Sequence, residues 1–498
     1  MAVVARRLLE RSLPFAIVGA VVAGLFSQTR HYGLLGFDSY PLIVTSRVAS
    51  LGDFAGNFSE QLMDGRYASG FHRPLLNLTF ALDHAVWGLE PFGYQLTGAL
   101  LLGACALALA SLLRRLLGAR AWVGRTIGLG VFLLSPLLFE VLPAPPRRPE
   151  LLCCAFTALA LTLQLAPRVL DSSRPSFWPA LATLLAIASK ETGYVVPALI
   201  FVAVALYSER ETWGRRLRRA AAAALPPLAA AGLMLLVRLS VLGGLGGHRS
   251  FSAAEAISGM PGALRALALE LLWPQPVMRL APLALGLPAL LALSLAATAL
   301  LAPRAPLARR SKGPLEAATL GIVWVASIGS TYAAAGSIGP WYLLLPLAGW
   351  ALAAGALAQA LFSCAADDRR GFRALALATL ALLVVLLVWQ SSYSPLFRRY
   401  DEWQRATAAG DAFLAAARSS LASAAPGTTV RAAPLPSWVP PRSDGPTIRG
   451  AAILADYSVQ AWADLTLAGR GVRVVHEGAA GQPGAGEILL VLPLSSRP

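Results

Sequence analysis

About eleven stretches of mostly apolar residues, many near the length needed to cross a bilayer, partition this chain, and that pattern constrains it more than anything else. They fall at roughly 12–28, 92–113, 122–142, 150–166, 176–189, 193–208, 219–242, 277–302, 315–334, 340–362 and 373–390. Only 14% of the residues are charged and 56% are hydrophobic, well away from the balance of a soluble domain. The predicted fold class is therefore an all-α polytopic membrane protein with about eleven transmembrane helices. The net charge of +16 suggests nucleic acid only until the basic residues are placed. They sit in short loops between apolar runs, with no basic stripe on a soluble module, so no nucleic-acid partner is expected and membrane lipids are.

The same charges orient the chain. With a cytoplasmic N-terminus, clusters such as Arg114–Arg115, Arg215–Arg216 and Arg309–Arg310 all fall in cytoplasmic loops, while the short outer loops are poor in Arg and Lys. An odd number of spans then places the C-terminal region outside, in a plasma (inner) membrane. Arg6, Arg7 and Arg11 before the first run fit a transmembrane anchor better than a cleaved signal peptide, because no clear cleavage site follows. Cys105, Cys153, Cys154 and Cys364 all lie in apolar runs and read as small core residues.

The chain divides into a transmembrane domain, 1–390, and a C-terminal extracytoplasmic region, 391–498. The first outer loop, about 29–91, is long without being low in complexity, and such loops are usually functional. Its segments 40–51 and 75–87 carry apolar residues at helical spacing and predict amphipathic helices on the membrane surface. A second outer region, 243–276, is rich in glycine and ends in an amphipathic stretch, 262–273. The C-terminal region has β-like runs at 428–432, 472–476 and 487–491 and a helical stretch at 451–467, so a small α/β appendage is expected.

Ionisable residues at membrane depth are costly and mark functional sites by default. Those at the outer ends of the spans gather on one side: Asp38, Glu140, Arg147, Arg148, Glu150, Lys190, Glu191 and Arg238, followed by His248 and Arg249. A carboxylate can take a proton from a hydroxyl, and cations can hold a phosphate. Plainer readings stay open for each. Asp38 would cap a helix, Glu140 would pair with Arg147 or Arg148, Lys190–Glu191 would tip a hairpin, Arg238 would snorkel and Arg73 would anchor at headgroups. His31, His72 and His84 share one loop, but their spacing matches no standard zinc site. The common face is the stronger signal, and it predicts that Asp38, Glu140, Lys190 and Arg238 open onto one cavity.

The order of these pieces resembles the GT-C class of membrane glycosyltransferases, over about residues 1–390. That class includes protein O-mannosyltransferases and the enzymes that add aminoarabinose to lipid A. The resemblance is carried by Phe37-Asp38 after the first span; Phe71-His72-Arg73-Pro74; Ser135-Pro136 through Glu140; Arg148-Pro149-Glu150-Leu151-Leu152; Ser189-Lys190-Glu191; Arg238 before Gly243-Gly244; and Trp341-Tyr342-Leu343 to Pro346. It implies a donor sugar on a polyprenyl phosphate or diphosphate, transferred on the non-cytoplasmic face with inversion to a hydroxyl on a lipid, glycan or protein. Asp38 would be the general base. Lys190, Arg238 and Arg73 or Arg148 would hold the donor phosphate. Glu140 would bind a metal or position the acceptor, with Glu191, Tyr342 and His72 in acceptor or positioning roles.

The chain departs from the pattern in three places. The paired acidic residues become Asp38-Ser39, the histidine before Pro136 is Ser135, and the arginine before Tyr342 is Trp341. These weigh against a divalent metal, and no other cofactor follows from the sequence. Two further readings stay open: a transporter or flippase of a lipid-linked glycan, and a non-catalytic scaffold of the same fold. A transporter should show internal repeats and broken mid-membrane helices, and neither is clear here.

Overall fold

The computed structural model describes residues 2–247 and 312–491, apart from 68–69, 171–175, 209–211, 336–338, 366–369, 399–400, 423–424, 434–436, 441–449, 468–470 and 477–486; between 248 and 311 it describes only isolated helical residues. The predicted eighth span, His248, Arg249 and most of the 262–273 stretch lie outside the described residues.

Helices dominate. In chain order they are α1 (Ala2–Thr29), α2 (Ser39–Ser46), α3 (Leu51–Ser59), α4 (Pro74–Trp87), α5 (Pro91–Leu117), α6 (Trp122–Leu133), α7 (Arg148–Gln164), α8 (Pro167–Leu170), α9 (Phe177–Ser189), α10 (Val196–Tyr207), α11 (Trp213–Leu242), α12 (Lys312–Ala335), α13 (Leu344–Cys364), α14 (Arg370–Ser391), α15 (Asp401–Ala422) and α16 (Asp456–Thr466). Among the described residues, six segments are long and apolar enough to span a membrane, and Pro14–Thr29, Phe177–Ser189 and Glu191–Tyr207 are shorter apolar helices. The chain is a multi-pass membrane protein.

The spans pack where small residues let backbones approach. A Cβ at Gly355 of α13 would collide with the Gly124 carbonyl of α6, and one at Gly349 would meet the Gly321 carbonyl of α12. Close backbone contact of this kind replaces the hydrophobic drive that lipid cannot supply between helices. Pro226 and Pro227 sit inside α11, which ends on Gly243 in the left-handed conformation. All four cysteines are buried.

The first long loop corrects one expectation. The predicted surface helix at 40–51 is α2, whose Tyr40, Leu42 and Ile43 are buried. Its apolar residues face α16 of the C-terminal region, against which it packs, and not lipid. An open apolar side belongs instead to α3, started by a capping box between Ser50 and Asp53 and exposing Leu51, Phe54 and Phe58, and to α4 over the predicted 75–87, which exposes Leu82 and Val86.

The C-terminal region holds strands β1 (Thr429–Ala433), β2 (Trp438–Val439), β3 (Ala451–Ala452), β4 (Arg473–His476) and β5 (Glu487–Val491). Strands β4, β1 and β5 form a parallel sheet in that order, and β2 pairs with β3 antiparallel. Two major cores result. One lies within the membrane bundle. The other is built jointly by the first loop (Tyr32, Leu42, Ile43, Phe80) and the C-terminal region (Trp403, Phe413, Val459, Trp462), so the appendage and the loop share one hydrophobic interior.

Candidate functional site

The site begins where a span breaks. Helix α9 ends at Ser189, Lys190 adopts an extended conformation with φ −160° and ψ 146°, and a short 3-10 turn over Glu191–Val195 leads into α10. Gly193 makes the break tight. A Cβ there would lie 2.6 Å from the Ala186 carbonyl carbon. The unwound residues thereby aim two adjacent charged side chains, Lys190 and Glu191, in different directions.

Glu191 sits between two arginines. Arg73, just before the proline that opens α4, meets it at 2.8 Å, and Arg238 from α11 meets it at 3.1 Å. Arg238 also donates Nε–H to the Leu245 carbonyl at 2.7 Å, and the Arg73 guanidinium lies 4.4 Å over the Phe71 ring. Lys190 pairs with Glu150 of α7, its ammonium 4.2 Å over the Tyr342 ring, and Tyr342 stacks on Tyr332.

All of these groups except Glu150, which stands behind Lys190, line a cavity of about 470 Å³. Arg73, Lys190, Glu191, Arg238, Tyr332 and Tyr342 form its polar wall, while Leu235, Leu245, Ala334 and Ala335 make part of it apolar. Three cations share two carboxylates, Glu191 and Glu150, and the surplus positive charge beside an aliphatic wall suits an anionic headgroup attached to a hydrocarbon chain.

The expected single cavity is not what the geometry provides. Asp38, Glu140, Arg148 and His72 do not belong to its lining. Arg148 is 1% exposed, pairs with Asp83 at 2.5 Å and donates to the Tyr94 carbonyl at 2.6 Å, with Thr97 holding the other Asp83 oxygen. An arginine so enclosed is a strut between α4, α5 and α7. Glu140 is buried and pairs with Arg147 at 3.4 Å, and the Arg147 guanidinium lies 4.3 Å from the Trp341 ring and 5.4 Å from that of Trp403. His72 donates to the Phe58 carbonyl at 2.8 Å, and burial lowers its pKa, keeping the ring neutral. Asp38 stands at the N-terminus of α2 without capping it; instead its Oδ1 accepts a hydrogen bond from the Tyr457 hydroxyl at 2.9 Å. Among the described residues no three His, Cys, Asp or Glu side chains gather as a metal site would require.

Sequence reasoning missed Asp83, Tyr332, Tyr457 and the partnership of Glu150 with Lys190. Asp83 left a signal, as the one carboxylate in the run 74–87, while Tyr332 sits among Ser327, Ser330 and Thr331 and stands out less. Tyr457 left none, because its contact spans some four hundred residues of chain.

No family model matches the chain, and no curated protein matches it. Solved structures do. It is similar to the crystal structure of ArnT from Cupriavidus metallidurans bound to undecaprenyl phosphate, at 15% identity and TM-score 0.49, over 93% of this chain and 89% of that one. It is also similar to the cryo-EM structure of the arabinofuranosyltransferase AftD from Mycobacteria, at 16% identity and TM-score 0.48, over 94% of this chain and 33% of that one.

Proposed function

We propose that this chain is a membrane glycosyltransferase that moves a sugar from a polyprenyl-phosphate donor to an acceptor hydroxyl on the non-cytoplasmic face. The cavity carries the reading: Arg73, Lys190 and Arg238 converge on one space with an aliphatic wall. A polyprenyl phosphate has the same two halves, an anion and a hydrocarbon tail. In the transfer, the acceptor oxygen attacks the anomeric carbon as the bond from that carbon to the phosphate oxygen breaks. The proton goes to Asp38, and the polyprenyl phosphate leaves with the bonding electrons. Attack opposite the leaving phosphate inverts the anomeric centre. Arg73, Lys190 and Arg238 stabilise the charge that grows on the leaving group, the electrostatic contribution that usually matters most. Glu191 holds the two arginines apart until a phosphate competes for them.

Asp38 stands outside the cavity lining, and that favours a second reading, a non-catalytic binder of polyprenyl phosphates. One experiment separates the two. Purified protein in lipid is given a panel of polyprenyl-phosphate pentoses and hexoses with lipid, glycan and peptide acceptors, and Asp38→Asn is compared with the parent. The enzyme reading expects transfer by the parent and a loss of roughly 10²–10⁴-fold in the variant, with donor binding kept. Donor binding without transfer in either protein would leave the binder, and equal transfer by both would take the general-base role from Asp38.

A further inference from the structure

The turn that carries Asp38, residues 33–38, is gripped by the C-terminal region at several points. Gly33 donates its N–H to Thr407 of α15 at 3.1 Å, and Gly36 donates to the Ala452 carbonyl of β3 at 3.2 Å. The Phe37 carbonyl accepts from Ser458 of α16, and the Phe37 ring meets Trp438 edge-on at 4.9 Å. Gly36 has φ +83°, and a Cβ there would lie 2.9 Å from that of Ala144. The turn is therefore both left-handed and crowded, a position only glycine suits. At the end of this clamp Tyr457 donates to Asp38 at 2.9 Å, its ring 6.0 Å from that of Tyr67 in the first loop. Burial and the neighbouring Asp38 charge push the Tyr457 hydroxyl above its usual range, so it stays protonated and remains a donor.

We infer that Tyr457 is a positioning residue for the acceptor-activating carboxylate, and that the C-terminal α/β region thereby completes the reaction site instead of hanging from it. The inference rests on Asp38 as the base. Tyr457 fixes the Asp38 rotamer by holding its Oδ1. It also favours the ionised carboxylate, since a hydrogen bond to the charged form stabilises that form.

The test is the pH–rate profile of sugar transfer, from a polyprenyl-phosphate sugar that the parent accepts, for the parent, Tyr457→Phe, Tyr457→Gln and Asp38→Asn. In Tyr457→Phe, kcat should fall about 10-fold at neutral pH, and the acid limb should move up by about one pH unit. KM for the donor should not change. Tyr457→Gln keeps an N–H donor and should recover part of both losses. A parental kcat and limb in Tyr457→Phe, with transfer abolished in Asp38→Asn, would overturn this inference and leave the base intact. Full transfer by Asp38→Asn would instead overturn the reading beneath it. Should Tyr457→Phe fail to fold, 3,5-difluorotyrosine at the same position decides: it keeps the shape but acidifies the hydroxyl. A new alkaline loss of transfer supports the inference, and a parental profile overturns it.

Discussion

The two halves of the candidate site hold their charges in opposite ways. In the cavity, Arg73, Lys190 and Arg238 are cations at the broken end of a span, each already matched by a buried or half-buried carboxylate. At the Asp38 loop, a carboxylate is held by a phenol from a distant part of the chain, where the first loop and the C-terminal region share a core. The first arrangement tolerates an exchange of partners: a phosphate oxygen can take the place of a carboxylate oxygen on the same guanidinium. The second suits a group that must accept a proton, because a hydroxyl donor orients a carboxylate without the strong pull of a cation. The difference teaches that membrane depth demands an opposite charge for every ion, whichever partner supplies it, and that a tunable carboxylate is easier to build where two extramembrane segments meet.

The largest expected effect tests whether cavity pairs differ from structural pairs at the same depth. Lys190→Met leaves Glu150 buried without its cation and should cost about 3–5 kcal/mol of stability. The double variant Lys190→Met/Glu150→Gln should recover most of that, because the lone charge is gone. Undecaprenyl phosphate should nevertheless stabilise the double variant far less than the parent in thermal melts. Arg148→Met should cost a similar amount and be rescued in the same way by Asp83→Asn, but here the stabilisation by undecaprenyl phosphate should stay parental. If both double variants lose it alike, the distinction between phosphate ligand and strut collapses.

A smaller effect sharpens the exchange argument. Glu191→Gln removes the negative charge shared by Arg73 and Arg238 and turns one of its two acceptor oxygens into a donor. Glu191 keeps 24% of its side chain exposed, so the loss should be about 1–3 kcal/mol. The two freed arginines should then bind anions better, and undecaprenyl phosphate should raise the melting temperature of the variant by more than it raises that of the parent. An equal or smaller rise would mean that Glu191 is part of the anion site and not its placeholder.

What was legible in the sequence follows the same division. Apolar runs announced the six long spans among the described residues, against about eleven expected, because lipid imposes length and composition on every helix separately. Ser189-Lys190-Glu191 and Arg238 stood out because charge at that depth is conspicuous against Leu and Ala. The β-like runs at 428–432, 472–476 and 487–491 match β1, β4 and β5 closely, since short branched-residue runs between glycines carry a local signal. Helix α15 was not predicted, and α2 was assigned to lipid, because both bury their apolar faces in a core assembled from opposite ends of the chain. Arg148 illustrates the limit most sharply. Its motif reads as a phosphate ligand, but its function depends on Asp83, sixty-five positions away, which no local pattern reports.

The smallest effect belongs to the outer half and concerns its strain. In the turn Leu62–Gly65, Met63 and Asp64 both have positive φ, 57° and 52°, which residues with side chains seldom adopt. Burial and the adjacent Glu60 push the Asp64 carboxyl up to about 6. A carboxyl raised on folding takes up a proton between its unfolded value and its folded one. Its penalty is therefore absent below pH 4, grows as pH rises through 6, and is complete above that. Asp64→Asn removes the charge while keeping a side chain that tolerates left-handed backbone. The melting temperature should rise by about one or two degrees at pH 7.5 and not at all at pH 4. A gain equal at both values would place the effect in the backbone and not in the charge. Tyr67, three residues on, leans against Tyr457, so the same variant asks whether relaxing this turn reaches Asp38. If the clamp is as rigid as its contacts indicate, the acid limb of transfer should not move.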